Sequence, residues 1–174
     1  YQVPAAEKET DFAKLSAQAA TMVRQDPAAE LLIWQGIILS TYAGAKGGLG
    51  ALDLVKQAKG SLEQAIKVDP AALDGSAYTS LGALYYQVPG WPVGFGDDEQ
   101  AEVLLKKALT MNPDGIDPNY FYGDYLAREK RYSEAKVVLE KALAAADRPG
   151  REVADEGRRA EAKALLAKVQ SELD

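Results

Sequence analysis

The chain has no cysteine and no histidine among its 174 residues. Those two absences remove thiolate nucleophiles, the usual thiolate and imidazole ligands for zinc, and the commonest general base. No metal and no cofactor is expected. No nucleophile–base pair can be assembled from the remaining residues, so the chain reads as non-enzymatic. Lack of cysteine says little about compartment, because disulfides are optional in a protein of this size. Positive charge is also short, with 20 Lys and Arg against 26 Asp and Glu and a formal net charge of −6. That balance disfavours nucleic acid as a partner, which needs clustered cations, and disfavours anionic lipid headgroups. An uncharged or apolar ligand stays open. No stretch shows the period-two alternation of a half-buried strand. The first residue is Tyr1 and not methionine, so a trimmed form is expected, with a signal peptide or lipid-anchor cysteine upstream left open.

What the chain does have is helical pattern. With 47% apolar and 26% charged residues, it has the composition of a folded globular protein. Residues 1–10 are polar and Pro-interrupted, a flexible lead-in before a single helical domain over 11–174. Thr10 or Asp11 is expected to cap a first helix to about Gln25, with Phe12, Leu15, Ala19, Met22 and Val23 inward. The stretch Glu30–Ala43 is apolar on every side, carries no charge after Glu30, and is too short to cross a bilayer. It is either enclosed by other helices or lines something apolar. Further helices are expected near 51–68, 76–88, 99–111, 118–129, 133–146 and 153–173. The last should turn Val153, Ala160, Leu165, Leu166 and Val169 inward.

Three segments superimpose: QAKGSLEQAIKVDP (57–70), QAEVLLKKALTMNP (100–113) and EAKVVLEKALAAAD (134–147). Ala58, Ala101 and Ala135 align, as do Leu62, Leu105 and Leu139, and Ala65, Ala108 and Ala142. The last two copies lie 34 residues apart. A helix with a central glycine precedes each: Gly36, Gly82, Gly123. With Tyr85 three residues after Gly82, and Pro70 and Pro113 closing their copies, the pattern resembles the tetratricopeptide repeat (TPR), a 34-residue helix–turn–helix unit. The resemblance implies an all-α, TPR-like helical repeat array of about three helix pairs with N- and C-terminal capping helices. The earlier copies carry about ten extra residues at 41–50 and about seven at 88–96, which repeat arrays place in loops, often on a binding face.

The run YYQVPGWPVGFGDDEQAEVLLKKALTMNPDGIDPNYFYGDYL, followed by RPGREVADEGRRAE, is similar to periplasmic proteins of the TRAP-transporter T-component type. This resemblance covers roughly residues 82–166. It implies a binding or scaffolding role in the bacterial envelope, periplasmic and open to outer-membrane association. Related helical proteins accompany bacterial sterol transport, which keeps a sterol or fatty acid in view as ligand.

The first helices of the pairs should line a concave surface. They hold no Lys or Arg but contain Trp34, Tyr42, Tyr78, Tyr85, Tyr86, Tyr120, Phe121, Tyr122 and Tyr125. An aromatic surface without cations suits an apolar ligand with one or two polar groups. Trp34, Ile37, Ile38, Tyr42, Tyr78, Tyr85, Tyr86, Tyr120 and Tyr122 are the candidate wall, and repeat packing is the plainer account of them. Trp91, Val93 and Phe95 crowd a loop of prolines and glycines, which either folds down as a lid, packs on its own repeat or meets a partner. Gly44–Gly50 lacks the features of a phosphate loop and reads as a flexible insertion. Asp97, Asp98, Asp114 and Asp117 read as caps and turn residues. Lys56, Lys59, Glu63 and Lys67 read as a solvated outer face. Arg148, Arg151, Arg158 and Arg159 form the basic cluster, pairing with Asp155, Glu156 and Glu161 or marking a docking surface. The expected function is binding or transfer of an apolar, lipid-like molecule within a transport system. The alternative is a TPR scaffold for a protein partner or for self-assembly, with the oligomeric state open.

Overall fold

A computed structural model describes Tyr1 and residues 3–174. The described residues form eight helices and no strand: α1 (Ala5–Gln25), α2 (Ala29–Lys46), α3 (Gly50–Val68), α4 (Ala72–Gln87), α5 (Asp98–Met111), α6 (Ile116–Arg128), α7 (Tyr132–Ala144) and α8 (Glu152–Ser171). The chain divides into two compact units, one of residues 2–101 and one of residues 102–174 together with Tyr1. The stretch 11–174, expected as a single domain, spans both.

Helix α1 begins at Ala5, not at Thr10 or Asp11, so all of the expected lead-in after Pro4 is helical. The run Ala5-Ala6-Glu7-Lys8-Glu9 is made of strong helix formers. Pro4 has the fixed φ that a helix start tolerates, and its carbonyl accepts the Glu7 N–H at 3.0 Å. Gln2 lies outside the described residues. The expected inner face of α1 is only partly right: Ala19 is buried, while Leu15 and Met22 are exposed.

The repeat positions are the core. Ala58, Leu62, Ala65, Ala101, Leu105, Ala108, Ala135, Leu139 and Ala142 all stand at 0% exposure. Within residues 2–101, Gly36 of α2 faces Leu62 of α3. A Cβ on that glycine would lie 2.5 Å from the leucine Cγ. Within residues 102–174, Gly123 of α6 faces Leu139 of α7 in the same way, at 2.7 Å. Each pair is therefore closed by one device, a missing side chain on one helix filled by a leucine from the other.

The extra residues at 41–50 are not a loop. They extend α2 to Lys46, and α3 starts at Gly50, leaving only Gly47, Gly48 and Leu49 to turn the chain. Gly47 and Gly48 both have positive φ, at 64° and 61°, which glycine adopts without steric cost. Gly44 lies inside α2. The second insertion is a true loop between α4 and α5. At the start of α4, Leu73, Asp74 and Gly75 are left-handed, and the regular helix runs from Ser76, where the sequence pattern places it.

Helix α8 corrects its expected register. Its buried residues are Asp155, Ala162 and Val169, while Val153 and Ala160 are exposed. A charge normally belongs on the solvent side, yet Asp155 sits at 1% exposure because a cation reaches it.

Candidate functional site

Helix α2 answers the question its composition raises. Leu32, Ile33 and Leu39 are buried, Ile37, Ile38 and Tyr42 are half-buried, and Glu30, Trp34 and Thr41 form an exposed stripe. Trp34 is 37% exposed. The helix is amphipathic in its packing although not in its polarity. No helix among the described residues is long and apolar enough to cross a membrane. A depression of about 340 Å³ lies between Tyr122, Leu126, Ser133, Glu134, Val137 and Val138. Another of about 320 Å³ lies beside Tyr1. Neither touches Trp34 or Ile38.

The aromatic surface is not free of cations. Most come from outside the first helices, whose own sequences therefore cannot show them. In residues 2–101, Lys46 Nζ lies 5.5 Å from the Tyr42 ring centroid. Lys59 of α3 stands 5.8 Å from the Tyr85 ring and 5.7 Å from the Phe95 ring while pairing with Glu63. The solvated face expected for Lys59 is thus an aromatic one. Burial lowers its pKa, but the hydrogen bond and charge of Glu63, together with Tyr85, outweigh this and the net shift is upward. Tyr78 is half-buried, and Tyr86 is buried with its hydroxyl accepting from Gln87 Nε2 at 3.3 Å. These two belong to the packing of their unit more than to an open wall.

The loop after α4 is fixed at its base. Phe95 meets the Tyr85 ring edge-on at a centroid distance of 5.5 Å. Gly96 N–H donates to Pro89 O at 3.0 Å and Asp97 N–H to Tyr85 O at 2.9 Å. A side chain at position 94 or 96 would run into the backbone carbonyls of Pro89 or Val88. Asp97 caps α5, its Oδ1 accepting the Gln100 N–H at 3.0 Å. Phe95 thus packs down on its own repeat. Trp91, across a cis peptide from Pro92, is 90% exposed, and Val93 is exposed beside it. The three apolar residues that the sequence groups together are divided by the fold.

In residues 102–174 the basic cluster pairs, and one of its partners is Asp117, a carboxylate that the sequence pattern explains as a turn residue. Arg148 Nε and backbone N–H each donate to Asp155 at 2.9 Å, and Arg148 Nη1 donates to Asp117 Oδ2 at 2.7 Å. Arg158 Nε donates to Asp117 Oδ1 at 2.9 Å and its Nη1 to Glu161 Oε2 at 2.6 Å. Arg159 pairs with Asp147 at 2.8 Å. Burial raises the Asp155 pKa, but the hydrogen bonds from Arg148 prevail and hold it below the ordinary value. The Arg158 guanidinium lies 4.5 Å from both the Tyr120 and the Phe121 ring centroids, a cation–π arrangement strengthened by burial. Tyr120 is half-buried under it. Tyr122 is buried, stacks on Tyr125 at 6.1 Å, and donates its hydroxyl proton to Glu102 at 3.1 Å. Glu102 also accepts from Arg131 at 2.7 Å and Lys106 at 2.9 Å. Those contacts, Lys106 first, pull its pKa from 4.5 down to about 2.

Residues 94–155 match the family model for the tetratricopeptide repeat. The fold is an all-α, TPR-like helical array. The match covers two of the three aligned segments. The segment at 57–70 lies outside it but buries the same alanines and leucine. No curated protein matches the chain.

Proposed function

We propose that this TPR-like protein is a non-enzymatic binding module whose principal ligand is another protein. Helical-repeat arrays offer extended surfaces, and this one presents a contact residue suited to a protein partner. The observation that carries the reading is Trp91, 90% exposed on a loop whose base is held by backbone hydrogen bonds and the Phe95–Tyr85 contact. A large aromatic on a preorganised support loses little entropy on docking, which is how interface anchors work. Asp97, Asp98 and Glu99 are exposed directly after the loop. They favour a partner whose apolar pocket is bordered by Lys or Arg.

The finer form of this proposal takes the partner to be a component of an envelope transport system, with the chain in the periplasm. It is supported by the resemblance of residues 82–166 to TRAP-transporter T components. Carriage of a sterol or fatty acid is the second reading, and it asks for a void beside Trp34 and Ile38. The two described depressions lie elsewhere.

A photo-reactive phenylalanine analogue in place of Trp91, and separately in place of the exposed Val68 at the end of α3, tests the main reading in cells. One discrete protein adduct at 91 and none at 68 is expected. Equal adducts at both positions, or none at 91, overturns it. Organic extraction of the purified protein followed by mass spectrometry tests the lipid reading, and fractionation tests the location.

A further inference from the structure

Glycine in the sixth position of a twenty-residue helix is costly, yet α8 carries Gly157 there. Its missing side chain leaves room for a specific occupant. The Tyr1 ring lies against Gly157, so close that a Cβ at 157 would collide with its ring carbons. The Tyr1 hydroxyl donates to Glu161 Oε2 at 2.9 Å, one helical turn further on. The same Glu161 oxygen is held by Arg158 at 2.6 Å, and Arg158 is fixed in turn by Asp117 and by the Tyr120 and Phe121 rings. A floor of bare backbone and a pre-oriented acceptor at the distance of a phenolic hydroxyl form a matched pair. Beside the seated ring an open depression of about 320 Å³ is walled by Gly150, Arg151, Glu152, Val153 and Ala154. That space accommodates the residues flanking a tyrosine.

We propose that this notch on α8 is a recognition site for a tyrosine side chain in its neutral form, occupied in this structure by Tyr1 and open to a tyrosine from a protein partner when Tyr1 leaves. The chemistry selects among aromatic ligands. Phenylalanine fits the Gly157 floor but forgoes the phenolic hydrogen bond, leaving the Glu161 oxygen with Arg158 alone. Phosphotyrosine has no phenolic proton to give, and its phosphate meets Glu161 and Asp117 as a like charge. Tyr1 itself reports the arrangement: burial first, then the Glu161 carboxylate, raise its pKa above the ordinary phenol value, partly offset by Arg158. The site is independent of the Trp91 loop, so either proposal can fail without the other.

The test uses the full chain carrying Tyr1→Ala, with the Gly157 and Glu161 amides followed by NMR. N-acetyl-tyrosinamide should shift both amides saturably, with a dissociation constant on the order of 1 mM for so small a ligand. N-acetyl-phenylalaninamide should bind about tenfold more weakly, the worth of one hydrogen bond to a charged acceptor. The phosphotyrosine analogue should not shift them. Adding Gly157→Ala should abolish binding while the helix remains folded, since alanine favours a helix interior. Equal binding of the tyrosine and phenylalanine amides, unchanged binding in the Gly157→Ala chain, or no saturable shift overturns the proposal. Concentration-dependent association of the unaltered chain, lost in Tyr1→Ala, would make a second copy the source of the tyrosine and overturn the partner assignment.

Discussion

The pairs α2–α3 and α6–α7 use the same contact and come out differently. Gly36 against Leu62 and Gly123 against Leu139 close the two pairs in the same way. Yet α2 and α3 have 18 and 19 residues, where α6 and α7 have 13 each. The longer pair turns at Gly47-Gly48 and an exposed Leu49, the shorter at Lys130, a non-glycine residue with φ of 58°. The repeat therefore fixes the crossing point of a pair and not its length. Helix-forming residues flanking the repeat unit extend the helices until a turn signal stops them. Surroundings differ too. In residues 2–101 a lysine covers Tyr85 and Phe95, and in residues 102–174 an arginine covers Tyr120 and Phe121 under a continuous set of ion pairs.

The largest expected effect tests whether the two contacts are equivalent. Leu62→Ala and Leu139→Ala each remove a leucine at 0% exposure and should each cost about 2–5 kcal/mol in denaturant unfolding. Values differing by more than the spread of that range would show that the longer helices alter how the site collapses.

Next comes the glycine side of the same contacts. Gly36→Ala and Gly123→Ala push a methyl group into a buried leucine and should cost about 1–3 kcal/mol. Gly157→Ala first meets the ring of the exposed Tyr1. It should leave stability unchanged or raise it by about 0.5–1 kcal/mol. Thermal melts of the three variants separate a packing glycine from one that makes room for a movable ring. A destabilised Gly157→Ala would break the distinction.

Acid distinguishes the ion-paired unit. Glu102 has a folded-state pKa of about 2, below its ordinary 4.5. Its contribution is therefore fully present above about pH 4.5 and is lost as pH falls toward 2. Asp155 is shifted in the same direction. Glu102→Gln should flatten the acid side of the stability curve by about 1 kcal/mol after solvent screening. Melting temperatures taken between pH 5 and pH 2.5 measure it, and an equal slope in the variant would remove Glu102 as a cause.

The smallest effect is at the turn of the shorter pair. Lys130→Gly relieves a left-handed lysine and should stabilise by up to about 1 kcal/mol, read from the same thermal melts. The matching change Gly48→Lys in the longer pair should destabilise by a similar amount.

The sequence by itself determined the helices, their alternation and the repeat. Ala58, Leu62 and Ala65 could be aligned with their counterparts because burying one face of each helix demands small and branched residues at a fixed period. Gly36 and Gly123 were legible for the same reason. Hidden in the sequence were the contacts made by long side chains between helices. Arg158 looks like any helical arginine, and only the fold brings it over Tyr120 and Phe121. The pairing of Asp155 with the arginine cluster was legible, but its burial was not, and Arg148 from the preceding turn, with Arg159, offsets the cost. Trp91 and Phe95 look alike as loop aromatics, yet Tyr85 accepts one and leaves the other in water. Periodicity is a local property and is written along the chain. The pairing of a charge or a ring with its neighbour depends on distances across the fold, so the tertiary structure decided it.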